Sequence, residues 1–192
     1  MIAIVKYNAG NIKSVKNSLT RLGYASVVTD DPQTLMEAEK VIFPGVGEAS
    51  SAMRYLQERG LDQVIINLKQ PVLGICLGMQ LMCKQTEEGN TKGFGIFNSN
   101  VKRFPTTVRV PHMGWNDFTE VKDPLFQNVE RSDDTYFVHG YYAEICDETI
   151  AVCDYGLKFS AALQKDNFYG VQFHPEKSAT VGNKILKNFL EL

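Results

Sequence analysis

The sequence is short of the features that would place it in several large classes. Its four cysteines, at positions 76, 83, 146 and 153, form no Cys-x-x-Cys, and its three histidines, at 112, 139 and 174, fall at no zinc-ligand spacing with them. Neither a disulfide framework nor a metal site is expected, and nothing in the chain calls for a cofactor. No apolar run is long. The longest uncharged stretch, Gln70 to Cys83, is broken by Pro71, Gly74, Gly78 and Gln80 and is too short to cross a bilayer. Neither sign of charge dominates: 20 Lys+Arg stand against 22 Asp+Glu, and the basic residues are scattered, which removes the electrostatic reason to expect nucleic acid. The first charge arrives at Lys6, too early for a signal-peptide apolar region, so a cytoplasmic protein is expected. There is no internal repeat, low-complexity tract or Pro/Gly/Ser-rich linker. Residues 1–192 are therefore expected to form one domain, long enough to bury a sizeable core without covalent staples.

What is present is alternation. Ile2 to Lys6 reads as a buried strand, and Ile12, Val15, Leu19 and Leu22 share one helical face in a segment that Asn11 could N-cap and Gly23 could end. Further strands are expected at Ala25 to Thr29, Val41 to Phe43 and Pro71 to Ile75. Helices are expected after Asp30-Asp31-Pro32, around Met53 and Leu56, and over Leu61 to Leu68. Strands alternating with helices predict an α/β fold on a largely parallel sheet. From Phe94 to Phe173 the pattern changes to short β-like runs between polar turns, among them Thr135 to Tyr142, Thr149 to Tyr155 and Tyr169 to Phe173, which predicts antiparallel strands. A helix from about Thr180, with Val181, Ile185, Leu186, Phe189 and Leu190 on its apolar face, closes the chain.

The stretch richest in chemistry is Gly74-Ile75-Cys76-Leu77-Gly78-Met79-Gln80, at the end of a predicted buried strand and before a short helix. A Gly-x-nucleophile-x-Gly elbow needs small residues two before and two after the nucleophile, because the sharp turn leaves no room for their side chains. Helix N-terminal N–H groups would favour a thiolate at Cys76; the bland alternative is an inert cysteine in a buried turn. A thiolate needs a base and an orienting group. Phe173-His174-Pro175-Glu176 offers both, since Pro175 biases His174 toward an extended conformation that would let Glu176 hold one imidazole nitrogen while the other faces Cys76. The competing reading is a surface turn with an exposed ion pair. For an oxyanion, Leu77 N–H is one candidate donor. The other is Val46 N–H in Pro44-Gly45-Val46-Gly47, where Gly45 and Gly47 let backbone approach a substrate. A phosphate loop is disfavoured there because no Gly-Lys-Ser/Thr follows.

On these residues the chain resembles the class I, or triad, glutamine amidotransferases, nearly end to end. The segments Gly10-Asn11-Ile12-Lys13-Ser14-Val15 and Val110-Pro111-His112-Met113-Gly114-Trp115-Asn116, with Glu87-Glu88-Gly89, Tyr136-Phe137-Val138-His139 and Phe173-His174-Pro175-Glu176-Lys177-Ser178, narrow the resemblance to the glutaminase subunits of imidazole glycerol phosphate synthase. The resemblance implies hydrolysis of L-glutamine to glutamate and ammonia through a thioester on Cys76. Ammonia would pass to a cyclase subunit, the partner in a heterodimer, for histidine biosynthesis. It also implies that Gln80 and Glu88, with backbone at Gly140 and Tyr141, hold the amino-acid end of the substrate; Glu87 and Glu88 read equally as a solvated loop. Two departures stand out: similar sequences commonly carry an acidic residue where Lys6 stands and a serine where Gly140 stands. Met113 and Trp115 read either as core or, with the resemblance, as partner anchors together with Asn11 and Lys177. The rival functions are a glutaminase serving another synthase, a freestanding γ-glutamyl hydrolase, and a non-catalytic binding subunit. A thiol redox protein is disfavoured, because Cys83 stands about two helical turns from Cys76.

Overall fold

The structure, a computed structural model, describes residues 1–8 and 10–192. Its first half is the expected alternation: β1 (Ile2–Val5), α1 (Ile12–Arg21), β2 (Ser26–Thr29), α2 (Pro32–Glu37), β3 (Lys40–Phe43), α3 (Ala49–Glu58), α4 (Leu61–Asn67), β4 (Val72–Ile75) and α5 (Leu77–Met82). The second half holds β5 (Gln85–Thr86), β6 (Thr91–Lys92), β7 (Asn100–Arg103), β8 (His112–Asn116), β9 (Glu120–Val121), β10 (Thr135–His139), β11 (Tyr141–Ala143), β12 (Thr149–Asp154), β13 (Lys158–Lys165), β14 (Phe168–Val171) and α6 (Ala179–Leu190). Short-range signals set the helix ends. Asp31 accepts from Thr34 N–H at 2.8 Å, and Gly23 follows α1 with φ +86°.

The main sheet runs β2-β1-β3-β4-β14-β13-β11-β7-β5-β6, with β12 beside β13 and β9 beside β12. β1, β2, β3 and β4 are parallel neighbours. Every residue of β1 and β4 is buried, which is why they read as unbroken apolar runs. Alternate residues feed two apolar layers: Ile2, Ile4 and Leu73 face the layer that also holds Val15, Leu19, Ile185 and Phe189 of α1 and α6. Ala3, Val5 and Val72 face the layer supplied by α2 to α5 through Leu35, Met53, Leu56, Ile65 and Met79. Helices therefore cover both faces of the parallel half.

The second half departs from expectation in two places. β14 is antiparallel only to β13; its other edge is parallel to β4, with Gly170 opposite Gly74, so it joins the two halves of the sheet. The single run expected from Thr135 to Tyr142 breaks at Gly140. β10 pairs with β8 in a separate two-stranded sheet, and β11 enters the main sheet. Among the described residues no helix is long and apolar enough to cross a membrane.

Candidate active site

Cys76 stands between β4 and α5 with φ 53° and ψ −108°, a backbone conformation that an L-residue holds only where its surroundings impose it. They do so through the flanking glycines. A Cβ on Gly74 would lie 2.8 Å from Met79 N, and one on Gly78 would lie 2.0 Å from the Phe43 carbonyl, so α5 can seat against the ends of β3 and β4 only with both side chains absent. Cys76 N–H donates to Val171 O at 2.8 Å, which ties the elbow to β14.

That same strand delivers the second group. Beyond β14 the chain runs through Gln172 and Phe173 to His174, whose N–H donates to Tyr136 O at 2.8 Å and whose carbonyl accepts from Ser178 Oγ at 2.6 Å. His174 and the Glu176 carboxylate are buried, and His174 Nδ1 lies 2.8 Å from Glu176 Oε1. A carboxylate only accepts, so Nδ1 carries the proton and Nε2 is left as the working nitrogen. Nε2 is enclosed, with no hydrogen-bond partner among the described residues. Burial alone would pull the imidazole pKa down. The Cys76 sulfur and then the Glu176 carboxylate outweigh that and push it up to about 10, so a second proton on the ring is favoured while a negative sulfur stands beside it.

Asn11 makes a contact that its local sequence does not reveal. It occupies the N-cap position of α1 in a left-handed conformation, but its side chain caps nothing there; its amide instead donates to Glu176 Oε1, the oxygen that also holds His174. It is half-buried and touches the Glu176 carboxylate, whereas Lys177, Met113 and Trp115 are exposed, the last two at 63% and 54%. Trp115 meets Tyr136 edge to face at 5.9 Å, and Lys177 Nζ lies 5.9 Å from the centre of the same ring. Tyr136 thus joins an outward patch for which its own sequence context carries no signal.

A cavity of about 310 Å³ opens at Cys76, and Val46, Gly47, Leu77, Gln80, Glu88, Gly140 and Tyr141 line it with Val138 and His139. Gly45 stands one residue behind that wall. Of the two glutamates, Glu88 faces the cavity, where desolvation raises its pKa although Oε2 accepts from Ala49 N–H at 2.9 Å. Glu87 turns to Lys102 and to Arg103 N–H instead. The Gly140 backbone does not require glycine, since a Cβ there would meet only Val110 Cγ1, at 3.5 Å. Lys6 is exposed, 3.8 Å from Asp30.

The two oxyanion candidates are adjacent but not ready. Leu77 N–H donates to Gly45 O at 3.3 Å, so the chain's own carbonyl occupies the donor. In a trans peptide the N–H points opposite to the C=O, which turns Val46 N–H away from Leu77. Tyr7 holds the segment from behind: its buried hydroxyl donates to Pro44 O at 2.5 Å, and burial raises the phenol well above its usual value.

Three buried polar groups beside the cavity were absent from the sequence expectations. His139 Nδ1 must donate to Tyr141 O at 2.7 Å, which makes His139 Nε2 the acceptor for His112 Nδ1–H at 3.0 Å and His112 Nε2 the acceptor for Asn116 at 3.3 Å. Burial drives the pKa of His139 down to about 3 and that of His112 to about 4, so both rings are neutral near pH 7. The third group is Gln172, fully buried, whose Nε2 lies 3.6 Å from Cys76 Sγ. A polar residue inside the apolar run Phe168 to Phe173 was the available signal.

A doubly wound sheet that sets a strained cysteine elbow near a buried His-Glu pair, at the carboxyl ends of parallel strands, is the arrangement a thiol-dependent hydrolase or transferase needs. The chain belongs to the glutamine amidotransferase class-I family, whose model matches residues 3–192. It is 56% identical to the imidazole glycerol phosphate synthase subunit HisH of Bacteroides fragilis, over 100% of this chain and 99% of that one. Against the subunit of the same name from Haemophilus influenzae it is 47% identical, over 99% of this chain and 96% of that one. Among solved structures, a putative GMP synthase subunit from Thermoplasma acidophilum matches with a TM-score of 0.77 at 18% identity, over 100% of this chain and 92% of that one, a likeness of fold.

Proposed function

We propose that this chain is the glutaminase subunit of an imidazole glycerol phosphate synthase: it hydrolyses L-glutamine to glutamate and ammonia and hands the ammonia to a cyclase subunit in histidine biosynthesis. Full-length identity to the HisH subunits supports the synthase role. The observation that carries the chemistry is Cys76 at the cavity wall with its sulfur near enough to His174 to raise that ring's pKa, while Glu176 holds the ring from the other side.

Cys76 Sγ attacks the carboxamide carbon while its proton passes to His174 Nε2; a C–S bond forms and the carbonyl electron pair moves onto oxygen. As the C=O re-forms, the C–N bond breaks and Nε2 returns the proton to the leaving nitrogen, releasing ammonia. Nε2 then takes a proton from water, whose oxygen attacks the thioester; the C–S bond breaks, glutamate departs and the proton restores the thiol. Glu176 holds the imidazole tautomer, and Asn11 holds Glu176. Glu88, a carboxylate whose charge is penalised by burial, suits the substrate ammonium.

The negative oxygen needs donors that this conformation withholds. Rotating the Gly45–Val46 peptide by half a turn frees Leu77 N–H and swings Val46 N–H toward the cavity, and each such donor is worth about 10²–10³ in rate. Docking of the cyclase partner on the Trp115, Tyr136 and Lys177 patch supplies the trigger.

The test is glutamate release from L-glutamine by the chain alone, then with a purified cyclase partner holding its nucleotide ligand, with Cys76→Ala as the blank. Low activity alone that rises roughly hundredfold with the loaded partner and vanishes in the blank is expected. High activity indifferent to the partner would point to a freestanding hydrolase, and none in either condition to a binding subunit.

A further inference from the structure

We infer that Gln172 is a positioning residue for the Cys76 sulfur: its side-chain amide donates to Sγ and receives the negative charge that forms there when the proton leaves for His174. The inference rests on the reading of Cys76 as nucleophile and adds a group that reading leaves out.

The orientation of the Gln172 amide follows from a fixed end point. The Tyr141 main-chain carbonyl can only accept, and the Gln80 terminal atom 3.0 Å from it is therefore the NH2 group. The same nitrogen lies 2.9 Å from a terminal atom of Gln172, which must accept its second proton and is therefore the oxygen. The remaining terminal atom of Gln172, 3.6 Å from Cys76 Sγ, is then its NH2. Flipping either amide would set oxygen against oxygen or nitrogen against nitrogen at a buried contact, so the chain from Tyr141 O to the sulfur has one polarity.

The main chain holds this arrangement on both sides. Gln172 N–H donates to Ala161 O on β13, and Cys76 N–H donates to Val171 O, so amide and sulfur sit just past the ends of the neighbouring strands β14 and β4. Besides Gln172 and the His174 ring whose pKa it raises, Sγ has a contact with Val138 O at 3.9 Å, which can only accept. A thiol makes both contacts, giving its proton to Val138 and receiving one from Gln172. Once the proton is gone, the Val138 carbonyl faces an anion with nothing to offer it, and the Gln172 N–H becomes a charge-assisted donor. His174 takes the proton; Gln172 steadies what is left behind.

Gln172→Leu removes the donor at similar volume, and Gln172→Glu keeps an acceptor toward Gln80 while placing a carboxylate beside the sulfur. The measurement is the pH profile of iodoacetamide alkylation of Cys76 in the full chain, followed by peptide mass spectrometry. Cys83 and Cys153 do not compete, because burial raises both thiols, Cys153 to about 12. The midpoint is expected to move up by about one pH unit in Gln172→Leu, a roughly tenfold loss of alkylation on the acid side, and further in Gln172→Glu. Profiles superposed on wild type would overturn the inference. Should neither variant fold, as judged by circular dichroism, the wild-type chain decides. The Gln172 side-chain amide proton resonances must shift as Cys76 ionises and stay still in Cys76→Ala; resonances that never move overturn the inference. The two proposals fail separately: Cys76→Ala that retains glutaminase activity removes the reading of the nucleophile, whereas alkylation reports on the sulfur and Gln172 whatever the substrate.

Discussion

Gly140 stands in the cavity wall with room for a side chain, and its amide and carbonyl, not a hydroxyl, are what it offers a ligand. Gly140→Ser is expected to fold with an unchanged melting temperature and to alter KM for glutamine by less than about twofold; a larger change would show that the hydroxyl of similar sequences matters. The buried histidines predict a pH response whose sign can be worked out. Unfolded, His112 and His139 take a proton near pH 6.5; folded, they do so only at about 4 and about 3, so stability present in full above 6.5 drains away as pH falls below it. His174 runs the other way, its contribution complete below 6.5 and lost as pH climbs toward about 10. The unfolding free energy from urea titrations should therefore peak near neutrality and be lower at about pH 5 by on the order of 1–2 kcal/mol for each of the two acid-sensitive rings. A flat profile would contradict their buried, neutral state. The strained turn at Cys76 and the pairing of His174 with Glu176 were legible from local spacing because an elbow and a His-Pro-Glu turn each require particular neighbours. The Asn11 amide on Glu176, and the Gln172 amide on Cys76, were not: the partners lie 165 and 96 residues apart, and only the finished sheet brings them together.

At the scale of elements, α6 is set by one residue. A Cβ on Gly182 would lie 1.9 Å from the Pro175 carbonyl, so the helix rests directly on the turn that joins His174 to Glu176. Gly182→Ala should cost about 2 kcal/mol, lower the melting temperature by roughly 5 °C, and cut kcat by moving the His-Glu pair. Loss of stability with kcat unchanged would show that the turn does not follow the helix. The parallel strands were readable because burial on both faces leaves continuous apolar runs bounded by turns. β13 was not, although it is the longest strand: its core, Phe159 to Leu163, is buried throughout and built largely of Ser and Ala, so it carries neither alternation nor the usual β-branched signal. The break at Gly140 was hidden for another reason, since β10 and β11 are each good strand sequence and only the change of sheet separates them.

Over the whole molecule, chemistry and assembly share a short span of chain. β10 carries Tyr136 outward, and three residues later His139 lies in the cavity wall. Trp115→Ala is expected to weaken binding to the cyclase partner by at least about tenfold while the melting temperature stays within about 2 °C, because the ring is half exposed in the free chain. Unchanged affinity in a titration would move the interface elsewhere. The bond from Leu77 N–H to the Gly45 carbonyl then acquires a meaning for the cell. Glutamine is a nitrogen currency drawn on by many reactions, and a glutaminase that could cleave it at any time would bleed free ammonia whenever no acceptor was waiting. Under the proposed function, a resting state that covers Leu77 N–H with the Gly45 carbonyl would make idleness the default, so that nitrogen is released only when there is somewhere for it to go.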